Sequence, residues 1–250
     1  MKMLGRFSNK DMFLDKAIVG LSQCLKLMNT GLASDQTSSI KIAPVYISKW
    51  VDYSNKFGFG FQMFDGSVGV LFNDFTKIGT TPNYDRVEFT DMKGKTFGFP
   101  WDEQANQPFP ELNHRVSLLR YYMQYMEDNL ADSMKSLPGV EMIRSVQKTA
   151  VPQLRRWGRR EDYVAMETNT QLVQVNHMGD HVKVMVWTYS GGLMVTILGS
   201  GDCHTFPLSS PCPAFCRTRL EITLQEMKEL AMSKSHLGIF SYMVFHDFVE

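Results

Sequence analysis

Two cationic side chains, His181 and Lys183, stand two residues apart in the run Asp180-His181-Val182-Lys183-Val184. On an extended strand that spacing sends both to one face of a sheet, so an imidazole and an ammonium are aimed the same way. Such a pair can attract an anion through charge-assisted N–H bonds. Donors held on a rigid strand lose little rotamer freedom when the anion arrives. The same spacing also occurs on ordinary solvated strand faces, so the surrounding elements must decide.

Those elements come in duplicate. Gly179-Asp180-His181-Val182-Lys183-Val184 echoes Asn73-Asp74-Phe75-Thr76-Lys77-Ile78, and Val173-x-Val175 answers Val68-x-Val70. The earlier copy places Phe75 and Lys77 where the later one has His181 and Lys183. Strand patterns at 45–51, 57–63, 68–72, 84–90 and 96–99 are separated by turn pairs such as Asp65-Gly66 and Lys93-Gly94, which predicts an antiparallel meander. A helix is expected from Glu111 to about Ala131, with Leu112, Leu119, Met123, Met126 and Leu130 on one stripe and Leu118, Tyr121 and Tyr125 on a second. After a connector, strands are expected at 161–167, 171–176, 182–187, 193–198 and 204–208, then a closing helix from about Thr218 to Ser235. Ahead of both copies, Asn9 to Met28 carries one apolar stripe through Phe13, Ala17, Leu21, Cys24, Leu25 and Met28, capped by Ser8 or Asn9. A polar linker follows it.

Composition narrows the function. The chain has 250 residues, 44% hydrophobic and 21% charged, which is the make-up of a globular protein with room for two cores. Lys plus Arg and Asp plus Glu both number 26, so no basic field of the kind that drives nucleic-acid binding exists, and no nucleic-acid partner is expected. No apolar run reaches the ~18 residues needed to span a bilayer, and Met1 to Arg6 carries no signal core, so an intracellular protein without a membrane partner is expected. Four cysteines and 17 methionines read as free thiols in a reducing compartment. Cys203-His204 and Cys212-x3-Cys216 match no compact zinc spacing, and no metal or cofactor is implied. Gly58-Phe59-Gly60 lacks the third glycine of a nucleotide loop, Met63 standing in its place, and a Walker lysine and a His-Arg-Asp triplet are absent from the sequence. No nucleophile, base and orienter set stands out, and the chain is read as non-catalytic.

The run Ser48-Lys49-Trp50-Val51-Asp52-Tyr53-Ser54, continued by Lys56 to Gln62 and Ser67 to Asp74, closely resembles the first polo box of Polo-like protein kinases. Val173 to Asn176 and Asp180-His181-x-Lys183 resemble the second, and the N-terminal helix is similar to the polo cap. The resemblance implies an α+β fold of two tandem polo boxes, each a six-stranded antiparallel sheet with a packed helix. It divides the chain into a cap helix and linker over 1–40, box 1 over 41–135, a connector over 136–160 and box 2 over 161–250. It further implies a module that binds phosphoserine or phosphothreonine peptides between the boxes and docks a serine/threonine kinase onto primed partners at centrosomes and kinetochores during mitosis. The kinase domain itself would belong to the same longer chain and be a further partner.

Carried over by position, His181 and Lys183 would hold the phosphate. Trp50, Val51, Asp52, Leu130 and Arg159 would hold the peptide, with Trp50 packed over the serine before the phosphorylated residue. Tyr53, Phe57, Leu118, Tyr121 and Tyr125, together with Val51, match a second hydrophobic groove. Gly158, Ala131 and His177-Met178 depart from the family pattern near the second box. A self-associating polo-box scaffold with no phosphate dependence is the alternative reading.

Overall fold

The computed structural model describes residues 12–30, 39–101, 110–131, 139–144 and 151–232. The expected cap at Ser8 or Asn9, most of the linker and the segment after Met232 lie outside them. The elements in chain order are α1 (Met12–Asn29), β1 (Ile42–Pro44), β2 (Ile47–Tyr53), β3 (Gly58–Met63), β4 (Val68–Phe72), β5 (Lys77–Thr80), β6 (Arg86–Thr90) and β7 (Thr96–Pro100). They continue with α2 (Pro110–Asn129), β8 (Glu141–Ile143), β9 (Leu154–Arg159), β10 (Tyr163–Thr168), β11 (Leu172–His177), β12 (Lys183–Tyr189), β13 (Gly192–Leu198), β14 (Cys203–Pro207) and α3 (Arg217–Met232).

Strands β2 to β7 form one six-stranded sheet and β9 to β14 another, each in sequence order, while β1 and β8 make a short parallel pair. Alternation along the strands assigns each face. Val68, Val70 and Phe72 on β4 meet Leu119 and Tyr122 of α2 in one core. Val173, Val175, Val184 and Val186 meet Leu14, Leu21 and Cys24 of α1 and Leu220 and Met227 of α3 in another. The remaining faces close on each other, with Phe59, Phe61 and Leu71 of the first sheet against Met166, Met185 and Trp187 of the second. The order is therefore helix, sheet, sheet, helices, and the seam between the sheets is itself an apolar core. Each large side chain fully buried there contributes roughly 1.5–3 kcal/mol.

The repeat read from the sequence is a repeat of geometry. Phe75 (φ 66°) and His181 (φ 59°) both occupy the left-handed region, in turns where Asp74 accepts from Thr76 N–H (3.1 Å) and Asp180 from Val182 N–H (3.2 Å). Two corrections follow. His181 does not extend a strand with Lys183, because β12 begins at Lys183 and His181 sits in the preceding turn. The second sheet also begins earlier than the expected boundary at 161, since β9 lies in the segment assigned to the connector. Among the described residues no helix is long and apolar enough to cross a membrane.

Gly60 fits where only a missing side chain allows. A Cβ there would stand 2.2 Å from the ring of Tyr122, whose hydroxyl donates to the Gly58 carbonyl at 2.8 Å. Gly60→Ala should cost about 1–3 kcal/mol by overpacking, measured as a lower chemical-denaturation midpoint with an unchanged slope.

Candidate functional site

Register sets one row of residues across the second sheet, Arg159–Val164–Asn176–Lys183–Leu198. Val164 and Leu198 of that row belong to the seam, so the row faces the first sheet. The first sheet carries the matching row Asp52–Phe59–Leu71–Lys77–Thr90. Arg159 and Lys183 lie three strands apart, about 14 Å at ordinary strand spacing. They are the two cationic side chains of that row, with Val164 and Asn176 between them.

Lys183 is 8% exposed, and no carboxylate or hydrogen-bond acceptor pairs with its ammonium among the described residues. Burial pulls its pKa below the usual lysine range, as expected for a charge taken from water without a counter-ion. Its row neighbour Asn176 accepts from Gln174 Nε2 at 2.8 Å. Gln174 in turn grips the edge of the first sheet, accepting from Ile47 N–H at 2.9 Å and donating to the Ile47 carbonyl at 2.8 Å. Among the described residues β2 is an edge strand with β3 as its only sheet partner, so alternate backbone groups along it point away from β3.

Trp50 and Asp52 project from β2 into the seam. Trp50 stacks on Phe59 (5.6 Å), Phe59 on Trp157 of β9 (4.4 Å), and the Arg159 guanidinium lies 5.5 Å from the Trp50 ring centre. Arg159 also reaches Asp52 at 3.5 Å, with half of its side chain exposed. Such a pair orients the two groups more than it stabilises the fold. Trp50, Asp52, Arg159 and Lys183 thus border one seam from opposite sheets, whereas His181 is exposed in the turn ahead of Lys183. Val51 does not project there, because its side chain is buried beneath α2, leaving its backbone on the β2 edge. Leu130 lies just past the end of α2, half-buried against that same core. Sequence reasoning gave no role to Gln174 or Asn176. Their signal was two amides alternating with valines in Val173-Gln174-Val175-Asn176.

The second groove assembles on the opposite face of β2. Tyr53 meets Tyr121 at 6.2 Å and Tyr125 at 5.7 Å between ring centres, with Phe57 and Leu118 packed in the same core. Hydrogen bonding with Tyr121, helped by desolvation and by the phenol of Tyr125, pushes Tyr53 up to about 12. Tyr121 is 46% exposed, so the cluster opens to solvent.

The two halves of the seam are not alike. In the first sheet the positions matching Gln174 and Met185 are Gly69 and Gly79. The segment 151–153 lies over both, since a Cβ at Gly79 would meet Val151 at 2.8 Å and one at Gly69 would meet the Pro152 carbonyl at 3.3 Å. Gln153 exchanges hydrogen bonds of 2.9–3.0 Å with Thr90, the row neighbour of Lys77. The crevice beside Lys77 is filled by the chain itself.

Behind the His181 turn, His177 is buried edge-on to Tyr163 at 5.1 Å. Burial, and then the Arg219 guanidinium, pull its pKa below the ordinary histidine value of 6.5, with Asp180 opposing. The unfolded chain therefore binds a proton that the folded chain refuses, and stability rises with pH across that interval. Stability should be full above pH ~6.5 and fall as the pH drops below it. Denaturation midpoints from pH 8 to about 5 check this, and His177→Phe should flatten the profile.

Comparison with known proteins agrees with this architecture. A family profile for the POLO box duplicated region matches residues 55–116. The chain is 36% identical over 155 residues to the serine/threonine-protein kinase plk-1 of Caenorhabditis elegans, covering 62% of this chain and 23% of that protein. It is 32% identical over 184 residues to PLK2 of Mus musculus (72% and 26%) and 32% identical over 161 residues to polo of Drosophila melanogaster (64% and 27%). It spans about a quarter of the length of these relatives. Among solved structures, the budding-yeast Cdc5 polo-box domain in complex with an Spc72 phosphopeptide superposes with a TM-score of 0.60 at 20% identity, over 93% of this chain and 92% of that one. The same domain in complex with the Dbf4 polo-interacting region gives 0.64 at 20% identity, over 90% and 89%. With two sequential six-stranded sheets, each followed by its helix, the chain belongs to the polo-box family and matches the polo-box region of its Polo-like kinase relatives.

Proposed function

We propose that the seam binds a phosphoserine or phosphothreonine peptide and so docks a Polo-like kinase onto partners already phosphorylated by another kinase, during mitosis and at centrosomes and kinetochores. The observation that carries this reading is Lys183, an almost fully buried ammonium with no carboxylate beside it. A buried charge without a partner costs several kcal/mol, and a phosphate dianion is the ligand that repays it. His181, in the turn ahead of Lys183, adds a second N–H donor. The peptide backbone runs along the open edge of β2, with Trp50 packed on the residue before the phosphate and Arg159, Asp52 and Leu130 around it. The Tyr53 groove receives a hydrophobic extension of the same peptide. The Spc72 phosphopeptide bound by the Cdc5 domain is a ligand of this class.

Calorimetry with a Ser-pThr peptide and its unphosphorylated twin tests the reading. The phosphate should be required, and His181→Ala with Lys183→Met should weaken binding by about two to four powers of ten, from two charged hydrogen bonds of roughly 1.5–3 kcal/mol each. Equal affinity for both peptides, or no change in the double variant, removes the proposal.

A further inference from the structure

Three of the four cysteines converge beneath α1, away from the seam. Cys24 of α1, Cys212 in the loop after β14, and Cys216 at the end of the short 3-10 turn before α3 are all fully buried in one core. Cys24 Sγ lies 3.5 Å from Cys212 Sγ and 3.3 Å from the Ser210 carbonyl oxygen. Cys203 sits in the other core, within the seam. The proposed peptide site includes none of these thiols.

We propose that Cys24 and Cys212 are a thiol modification site, forming a reversible disulfide in the presence of a peroxide and fastening α1 to the loop that leaves the second sheet. The sulfurs need close only from 3.5 Å to the ~2.05 Å of a bond. The Cys24 thiolate attacks one peroxide oxygen, the O–O bond breaks, and the departing hydroxide takes up the thiol proton as water, leaving a sulfenic acid. The Cys212 sulfur then attacks that sulfur, the S–O bond breaks, and a second water leaves with the Cys212 proton. Two thiols are oxidised to one disulfide while one peroxide is reduced to two waters, and a dithiol reductant reverses the change.

The neighbours assign the roles. Hydrogen bonding with Cys212 brings Cys24 down to about 7 against the opposing effect of burial, which makes it the attacking group. Burial pushes Cys216 up to about 12, so it stays protonated and out of the exchange. Because the thiols are closed to solvent, peroxide gains access through transient opening of α1, and the rate follows that opening.

The test treats the full chain with hydrogen peroxide under native conditions, alkylates the remaining thiols and maps the digest by mass spectrometry, with hydrogen exchange of α1 recorded alongside. A peptide pair joined through Cys24 and Cys212 should appear, and α1 exchange should slow by at least about tenfold. Dithiothreitol should restore both, and Cys216→Ser should keep the bridge while Cys24→Ser loses it. A bridge between Cys212 and Cys216, sulfinic acid without any bridge, or a bridge that forms only after unfolding overturns the proposal. The wild-type map decides this even where a serine variant folds poorly.

Discussion

Lys183→Met should move two properties in opposite directions, raising the stability of the free chain while weakening phosphopeptide binding. The ammonium is buried without a carboxylate, and burial alone depresses its pKa. Exchanging it for an apolar side chain of similar length relieves an unpaid desolvation cost, a gain of about 1–2 kcal/mol. Thermal unfolding should rise by roughly 2–8 °C for a chain of this size. Under the proposed function a bound phosphate would lose one charged hydrogen bond, which should weaken binding by roughly ten- to hundredfold. His181→Ala, in the turn, should weaken binding with little change in melting temperature. A Lys183→Met protein that melts lower than wild type would mean that the charge serves the fold and not a ligand.

The largest loss of stability should come from Glu167→Gln. Glu167 is fully buried on β10, facing the helices, with Arg156 Nε at 2.7 Å and Arg155 Nη1 at 3.4 Å. Arg156 also donates to the Leu230 carbonyl at 3.0 Å near the end of α3, so one carboxylate anchors both the edge strand β9 and the helix that covers it. Neutralising it strands guanidinium charge in the interior and should cost about 3 kcal/mol or more. That corresponds to a melting temperature roughly 6–12 °C lower. Because the side chain lies on the face away from the seam, phosphopeptide affinity at low temperature should be unchanged. Loss of affinity with retained stability would contradict this placement.

The strands with clean alternation were legible from the sequence, and β4 was read at its observed limits because Val68-Gly69-Val70-Leu71-Phe72 is apolar throughout. β9 was not. Leu154-Arg155-Arg156-Trp157-Gly158-Arg159 looks like a charged connector, and its arginines make sense only beside Glu167, about a dozen residues on, and Asp52, more than a hundred residues back. β1 and β8 escaped for the same reason, being three-residue strands that meet across about a hundred residues. His181 was placed on a strand because it stands two residues from Lys183, whereas a left-handed residue leaves no mark in hydrophobic period. The site residues drawn from the family resemblance mostly gather at the seam or the tyrosine cluster. The amides that tie one sheet to the other, Gln174 and Asn176, needed the three-dimensional register to be seen.

Duplication would ordinarily endow such a molecule with twin ports, yet here residues 151–153 plug the one next to Lys77. Under the proposed function, one molecule therefore reads a single mark. A partner bearing two phosphorylated motifs would recruit two kinase molecules, and the number of marks would set the dose of enzyme delivered.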